Sequence, residues 1–243
     1  MEKIKNGVEI HETALKATDP EVLERINHFT FEEVQKDIDL PVKTKMLSIL
    51  AYLLGMQAIG EYKLMLPVAL DNEVTPVEAK EVVYQAVDYL GLGRVFPFFK
   101  VTNKILLDCG VKLPLENQAT TSLDEQDRLA KGEETQMRLF GPQMKDFAKK
   151  GTINKWLVDN CFGDYYTRKG LDDRQREMIT FCYLAAQGGC EPQLLAHAKA
   201  NIGLGNDKEF LINVVLNNVP FIGYPRSLNA ISVVNQADSE LNK

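Results

Sequence analysis

Apolar residues follow a helical pattern along almost the whole chain. They recur at steps of three and four residues, and no segment keeps the alternation of apolar and polar residues that is typical of a half-buried strand. The longest run without a charged residue, Met46 to Gly60, is shorter than the about 18 residues that a membrane-spanning helix needs. We therefore expect an all-α protein in which this run forms a buried core helix, and we expect no membrane contact.

The predicted helices occur in two similar sets, the second about 131 residues after the first. Each set begins with a long apolar helix, which starts near Met46 in the first set and near Met178 in the second. Two further helices follow in each set. We interpret the chain as two fused copies of one helical unit, residues 1–112 and residues 132–243, joined by the polar segment 113–131.

Helix boundaries support the duplication. Thr75-Pro76-Val77-Glu78 is a capping box with proline at the first helical position. Asn206-Asp207-Lys208-Glu209 stands 131 residues later, and we predict the same capping chemistry there, with Asn206 as the N-cap. Both third helices end at a glycine, Gly91 and Gly223, and an arginine follows each glycine at the same distance.

The composition limits the partners and the compartment. The net charge is −6, from 28 Lys+Arg against 34 Asp+Glu, and no basic block is present, which argues against a nucleic-acid partner. The N-terminus alternates charges and lacks the apolar core of a secretory signal. The four cysteines are scattered without metal-ligand spacing, so a reduced, cytoplasmic location is expected. They are Cys109, Cys161, Cys182 and Cys190.

The most reactive side chains stand around the start of the second helix of the second copy. Cys190 precedes Pro192, a natural first helical residue, so the helix dipole there favours a thiolate. His197 follows on the same helix, on the same face as Gln193, and an imidazole can accept a proton from a thiol or an acidic carbon. The alternatives are a structural cysteine in a tight loop and a satisfied core histidine.

Glu177 is the third candidate. The apolar residues Met178 and Ile179 follow it, which favours burial over a solvated charge cluster. It lies 11 residues before Gly188, about 16 Å along a helix, so direct contact with His197 requires a steep helix crossing or a bridging water.

The arginines that follow the helix-ending glycines, Arg94 and Arg226, could bind a carboxylate through two parallel hydrogen bonds, although an exposed arginine is the simpler reading of each. In the first copy, Ile59 and Leu66 stand where Cys190 and His197 stand in the second. The second copy therefore holds the site. The sequence has no phosphate-binding glycine loop, zinc spacing or nucleophile elbow, so we expect no metal and no cofactor.

Two runs in the second copy resemble the carboxymuconolactone decarboxylase family. The first is GDYYTRKGLDDRQREMIT, from Gly163 to Thr180, and the second is PFIGYPRSLNA, from Pro220 to Ala230. His197, Gly205 and Glu209 match the family at their spacing. The resemblance implies a duplicated helical bundle of the alkylhydroperoxidase D-like type. It also implies assembly as a trimer of two-copy chains or a hexamer, for which we expect the apolar third helices to supply the buried surface.

The family implies two chemistries. One branch is similar to lactone decarboxylases, which use a histidine and no redox cysteine. The other is similar to alkylhydroperoxidase D proteins, in which a glutamate, a C-x-x-C pair and a histidine form a proton relay. Glu177, Cys190 and His197 match the relay, but Gln193 occupies the position of the second cysteine. A disulfide cycle within one chain needs that partner thiol.

Three hypotheses follow. The first is an enzyme that acts on a small carboxylated, lactone-type substrate, with His197 moving the proton and Glu177 orienting it. The second is a thiol-dependent peroxidase that uses Cys190 and an external reductant. The third is a structural or ligand-binding oligomer without catalysis. For either enzyme, the expected catalytic residues are His197, Glu177 and Cys190, and the expected substrate-binding residues are Arg226, Gln193 and Tyr224.

Overall fold

The computed structural model describes residues 15–243, which form helices joined by turns and contain no strand. The N-terminal features used above against a secretory signal lie outside the described residues. The α-helices of five or more residues are α1 Pro20–Asn27, α2 Val42–Gly55, α3 Ile59–Asp71, α4 Pro76–Leu90, α5 Leu92–Asp108, α6 Glu125–Phe140, α7 Thr152–Trp156, α8 Asp173–Gln187, α9 Glu191–Gly203, α10 Lys208–Ile222 and α11 Tyr224–Leu241. A π-helical segment follows α1 (His28–Glu33) and another follows α7 (Leu157–Tyr165). The predicted all-α, duplicated fold is confirmed.

The start of α4 follows the predicted capping box. The hydroxyl of Thr75 accepts a hydrogen bond from the Glu78 amide, and the Glu78 carboxylate accepts one from the Thr75 amide. The predicted cap of α10 is wrong by one residue, because Asp207 caps this helix by accepting from the Phe210 amide. Asn206 is buried and its amide bonds to the Arg174 carbonyl instead, so its side chain is not free to cap.

The long apolar helices that begin the two similar sets, α2 and α8, pack against each other at the centre of the molecule. Both helices are buried over nearly their whole length. Gly55 allows the close approach, because a Cβ atom there would lie 2.5 Å from Cβ of Ala186 and 2.9 Å from the Tyr183 carbonyl oxygen. The apolar run Met46 to Gly60, predicted as one core helix, is divided by a turn after Gly55, and its last two residues begin α3. Its first part, in α2, forms the contact between the two copies.

The third helices of the two sets, α4 and α10, each pack on both α2 and α8. Gln85 of α4 donates to the Arg176 carbonyl (3.0 Å) and to the Thr180 hydroxyl (2.7 Å) on α8. Asn217 of α10 makes the equivalent bonds on α2, to the Lys45 carbonyl and to a hydroxyl, each at 3.2 Å. The repeated bonds relate the two copies by an approximate twofold rotation and interlock them.

A buried ion pair joins the copies. Glu81 of α4 accepts hydrogen bonds from Arg176 on α8 (3.2 Å) and from Arg168 (2.9 Å). Glu81 and Arg176 are each 1% exposed or less. Because an unpaired charge at this depth is very unfavourable, the pair fixes how α4 lies on the second copy.

Helix α6 begins inside the segment predicted as a linker. Asp124 caps it by accepting from the backbone amides of the two residues at positions 126 and 127. The helix packs against the π-helix Leu157–Tyr165 through two glycines. A Cβ on Gly132 would lie 2.0 Å from the Val158 carbonyl oxygen, and a Cβ on Gly163 would lie 2.5 Å from the carbonyl oxygen of a residue in α6. This contact holds α6 against the rest of the second copy.

Candidate functional site

Glu177 and His197 form a direct, buried hydrogen bond. Oε2 of Glu177 on α8 lies 2.7 Å from Nδ1 of His197 on α9. Glu177 is fully buried and His197 is 7% exposed. No bridging water is required, although the sequence left that arrangement open. A carboxylate at this distance fixes the hydrogen of a neutral imidazole on Nδ1 and leaves the lone pair on Nε2.

Asn201 holds the two helices together at the pair. Its Nδ2 donates to the Glu177 carbonyl (2.9 Å) and to the His197 carbonyl (2.8 Å). Its Oδ1 accepts from the amide of Asn206. These bonds are buried, so the relative position of Glu177 and His197 is set by several contacts besides their own.

Two aromatic rings stand edge-on to the imidazole. Tyr89 of α4 lies 5.4 Å from His197 between ring centroids at an angle of 80°, and Phe140, the last residue of α6, lies at 5.3 Å and 85°. Perpendicular packing at these distances is a favourable aromatic geometry. The first copy therefore supplies one wall of the site through Tyr89, and the end of α6 supplies another through Phe140.

The pair keeps two unused hydrogen-bonding atoms. Oε1 of Glu177 is buried without a partner. Nε2 of His197 has no hydrogen-bond partner among residues 15–243. Buried polar atoms are rarely left unpaired in folded proteins, so the unpaired oxygen of Glu177 and the unpaired ring nitrogen of His197 indicate a place for a ligand or a proton at this pair.

Cys161, which the sequence did not single out, lies on the same side of the molecule as the pair. Its Sγ is 3.7 Å from the Tyr89 hydroxyl. Burial raises the pKa of this thiol well above its usual value, and the charges of Asp88 and Glu177 raise it further. Burial also raises the pKa of Asp88 to about 8. The sulfur at this position is therefore a thiol and not a thiolate at neutral pH.

Cys190 does not contact the pair. Its sulfur bonds to the Leu184 carbonyl (3.4 Å) and accepts from the Gln187 amide (3.6 Å). The sequence predicted Pro192 as the first helical residue, but α9 begins one residue earlier, at Glu191, with Cys190 as its N-cap. Burial raises the pKa of the Cys190 thiol above the usual value, and the Gln187 hydrogen bond opposes this shift. His197 lies seven residues further along the helix, about 10 Å along its axis.

Three other predicted site residues stand apart from the pair. Gln193 is exposed, and Arg226 is partly exposed at the start of α11. Tyr224 packs against Phe29, which belongs to the first copy. None of the three makes a hydrogen bond or ring contact with Glu177 or His197 in the described part of the chain, and their role in substrate binding stays a prediction. Arg94 lies nearer, since it donates to Gln187, which also contacts the Tyr89 carbonyl.

The equivalent place in the first copy carries no polar pair. Leu66, the counterpart of His197, is fully buried, and Met46 occupies the level of Glu177. Phe221, at the position that Tyr89 takes in the other half, lines a mainly apolar cavity of about 260 Å³ together with Phe31. No group of three or more His, Cys, Asp or Glu side chains within residues 15–243 is arranged to hold a metal.

The profile of the Carboxymuconolactone decarboxylase family matches the chain twice, over residues 20–104 and 152–236. The two matches together cover well over half of the chain. This protein belongs to that family. The matched ranges lie within the two copies that the sequence pattern predicted, so the family fold occurs here as a tandem pair.

A relative in Paracoccus denitrificans is 25% identical over 122 residues, which are 47% of this chain and 90% of the relative. It is described as an uncharacterized 15.0 kDa protein in the nqo9-nqo10 intergenic region. The match is about as long as one copy. Within residues 15–243, no helix is both long and apolar enough to cross a membrane.

Proposed function

We propose that this chain is an enzyme that decarboxylates a small carboxylated, lactone-type substrate with His197 and Glu177 as its acid–base pair. The observation that supports this most is the buried 2.7 Å bond from Glu177 to Nδ1, which leaves Nε2 available. Membership of the carboxymuconolactone decarboxylase family makes both decarboxylation and peroxide reduction plausible. The Glu177–His197 pair can perform decarboxylation without a thiol.

In the proposed reaction, the bond between the carboxylate carbon and the ring carbon breaks and CO₂ leaves. The electron pair passes into the conjugated lactone carbonyl, which gives a dienolate. His197, which has first taken up a proton from solvent on Nε2, then delivers that proton to a ring carbon, and the Glu177 carboxylate stabilises the imidazolium until that transfer. The aromatic walls formed by Tyr89 and Phe140 limit the access of water to the dienolate.

The test is CO₂ release from carboxymuconolactone and related carboxylated γ-lactones by the wild type, His197→Ala and His28→Ala. His28 is a matched control because it is exposed and pairs with Glu32 and Glu33. We expect turnover by the wild type and by His28→Ala, and a loss of about 100-fold or more in His197→Ala. Full turnover by His197→Ala would contradict the proposal.

A thiol-dependent peroxidase that uses Cys190 is the second candidate, because this cysteine is partly accessible and its sulfur accepts a hydrogen bond from Gln187. It receives less support, since burial raises the pKa of Cys190 and Gln193 replaces the resolving thiol. A peroxide assay with dithiothreitol, on the wild type and Cys190→Ser, separates it from the first. Loss of peroxide consumption in Cys190→Ser would favour the peroxidase.

The proposed enzyme is a homo-oligomer. The third helices, expected to supply its contact surface, are largely buried within the chain. The helices that follow them, α5 and α11, expose apolar side chains instead, at equivalent places in the two copies. These side chains are Leu92 and Phe96 on α5 and Tyr224 and Leu228 on α11, each more than half exposed. Sedimentation of the wild type and Leu228→Glu tests this, and a monomeric wild type would contradict it.

A further inference from the structure

A chain of buried hydrogen bonds runs from the guanidinium of Arg176 to the hydroxyl of Tyr89. Arg176 Nη1 donates to Gln85 Oε1 (2.8 Å), and Gln85 Nε2 donates to Thr180 Oγ1 (2.7 Å). The Thr180 hydroxyl lies 2.8 Å from that of Tyr166, which lies 2.9 Å from that of Tyr89. The chain therefore begins at a permanent positive charge and ends beside the imidazole of His197.

The direction of this chain follows from its first member. Arg176 can only donate, so the atom of Gln85 that faces it is the carbonyl oxygen, and the atom that faces Thr180 is the amide nitrogen. Thr180 thus already accepts one hydrogen bond. Its own hydrogen has one acceptor within reach among the described residues, the oxygen of Tyr166.

The same reasoning continues to the end of the chain. With Thr180 donating to Tyr166, the hydrogen of Tyr166 is directed to the oxygen of Tyr89. The reverse direction would leave the hydrogen of Thr180 buried without an acceptor, which is unfavourable. The Cys161 thiol, 3.7 Å from the Tyr89 oxygen, also has the Asp88 carboxyl as a partner for its hydrogen. Among the described residues, the hydrogen of Tyr89 then has only the Cys161 sulfur as an acceptor within reach, and sulfur is a weak acceptor compared with an anionic oxygen.

Tyr89 is the end of the hydrogen-bond chain whose ring lies against His197. Tyr166 and Thr180 are buried, whereas Tyr89 is partly exposed and its ring stands edge-on to His197. Burial, and beyond it the charge of Glu177, raises the pKa of Tyr89 well above its usual value. The hydroxyl therefore keeps its hydrogen throughout the neutral and mildly alkaline range, so it can donate a hydrogen bond to an anion.

We infer that Tyr89, contributed by the first copy, is a catalytic residue of the second copy and donates a hydrogen bond to the lactone oxygen on which negative charge develops. The inference rests on the proposed decarboxylase function and adds to it the group that stabilises the dienolate. Donors fixed in place before the reaction are effective because no reorientation is needed when the charge forms. Thr180 and Tyr166 are positioning residues that act through Tyr89.

The first test is Tyr89→Phe, which keeps the ring against His197 and removes only the hydroxyl. We expect kcat for the lactone decarboxylation to fall about 100-fold with KM changed less than about threefold, because the lost bond is strongest in the transition state. The matched control is Tyr84→Phe, on the same helix but packed against Phe99, for which kcat should stay within about twofold. A packing defect would change KM, kcat and the melting temperature together.

The second test is Tyr166→Phe, which leaves the hydroxyl of Tyr89 in place but removes the group that orients it. We expect a smaller loss in kcat, about 10-fold, with KM unchanged, and no further loss when Tyr166→Phe is added to Tyr89→Phe. Independent, multiplying effects of the two changes would overturn the positioning role of Tyr166.

The outcomes separate the inference from the function on which it rests. A wild type that releases no CO₂ from any carboxylated lactone contradicts both. Turnover that requires His197 but persists at full kcat in Tyr89→Phe leaves the decarboxylase proposal intact and overturns the inference. Turnover that requires His197 and falls selectively in kcat in Tyr89→Phe, with Tyr84→Phe unaffected, supports it.

Discussion

The carboxylate of Glu177 meets the Nδ1 edge of His197 at 2.7 Å, so the imidazole is held by one nitrogen and presents the other. We expect Glu177→Gln to preserve the shape of the site but to lower kcat about 100-fold or more, because an amide does not stabilise the imidazolium as a carboxylate does. Steady-state kinetics on the lactone substrate measures this.

The control for that variant is Glu191→Gln, a change of an exposed glutamate at the start of α9. It should retain wild-type kcat. If Glu177→Gln were equally active, Glu177 would have only a packing role at the pair.

The thiols provide a second prediction. Cys190 is partly buried and its pKa is raised, whereas Cys109 is exposed at the end of α5. We expect an alkylating reagent such as iodoacetamide to modify Cys190 more slowly than Cys109 at pH 7.5, since the thiolate is the reactive form. Peptide mass spectrometry over a time course gives both rates. Faster labelling of Cys190 would indicate an activated thiolate and would favour the peroxidase.

A third prediction concerns the ion pair between the copies. Glu81→Gln leaves Arg176 buried without a counter-charge, and we expect the free energy of unfolding to fall by about 3–5 kcal/mol. Urea-induced unfolding followed by circular dichroism measures the change. Asp173→Asn, which breaks the more exposed pair with Arg138, should cost less than about 1 kcal/mol. Equal losses of unfolding free energy in Glu81→Gln and Asp173→Asn would show that burial does not make the Glu81 ion pair more important for stability.

The pKa of Asp88, raised to about 8 by burial, predicts a pH dependence of stability. Between pH 4 and pH 8 the folded protein holds a proton on Asp88 that the unfolded chain releases, so this residue makes the protein less stable as the pH rises through that range. We expect the urea midpoint to fall between pH 6 and pH 9, and to fall less in Asp88→Asn.

Asp127→Asn is the control for that comparison, because hydrogen bonds from Ser122 and Lys131 lower the pKa of Asp127 and it is already ionised at pH 6. It should show the same difference between pH 6 and pH 9 as the wild type. An Asp88→Asn variant with an unchanged difference would place the titration on another group.

Much of the fold could be predicted from the sequence because the signals are local. Periodicity predicts the helices, and the capping box at Thr75 predicts the start of α4 to the residue. The cap at Asp207 was misplaced because the side chain of Asn206 is used in a tertiary contact, which no local pattern reveals. Glu177 and His197 were found through their chemistry and their family spacing, but their direct contact depends on how α8 crosses α9.

The rest of the site comes from distant parts of the chain. Tyr89 and Phe140 have no motif of their own, and they reach His197 only because α4 crosses to the second copy and α6 packs against a π-helix. The signal that could have pointed to them is the asymmetry of the copies. Tyr89 has Phe221 as its counterpart, which is the same exchange of a polar for an apolar residue that separates His197 from Leu66.

The crossing of α4 onto the second copy also affects how the site responds to dilution. Where a separate subunit contributes part of a site, the site is lost as the subunits dissociate. Here the copy that supplies Tyr89 and the copy that holds His197 are covalently linked, so their contact is intramolecular and its effective concentration is set by the connecting segment. The site should assemble equally well at nanomolar and at micromolar protein, whatever larger assembly the chains form.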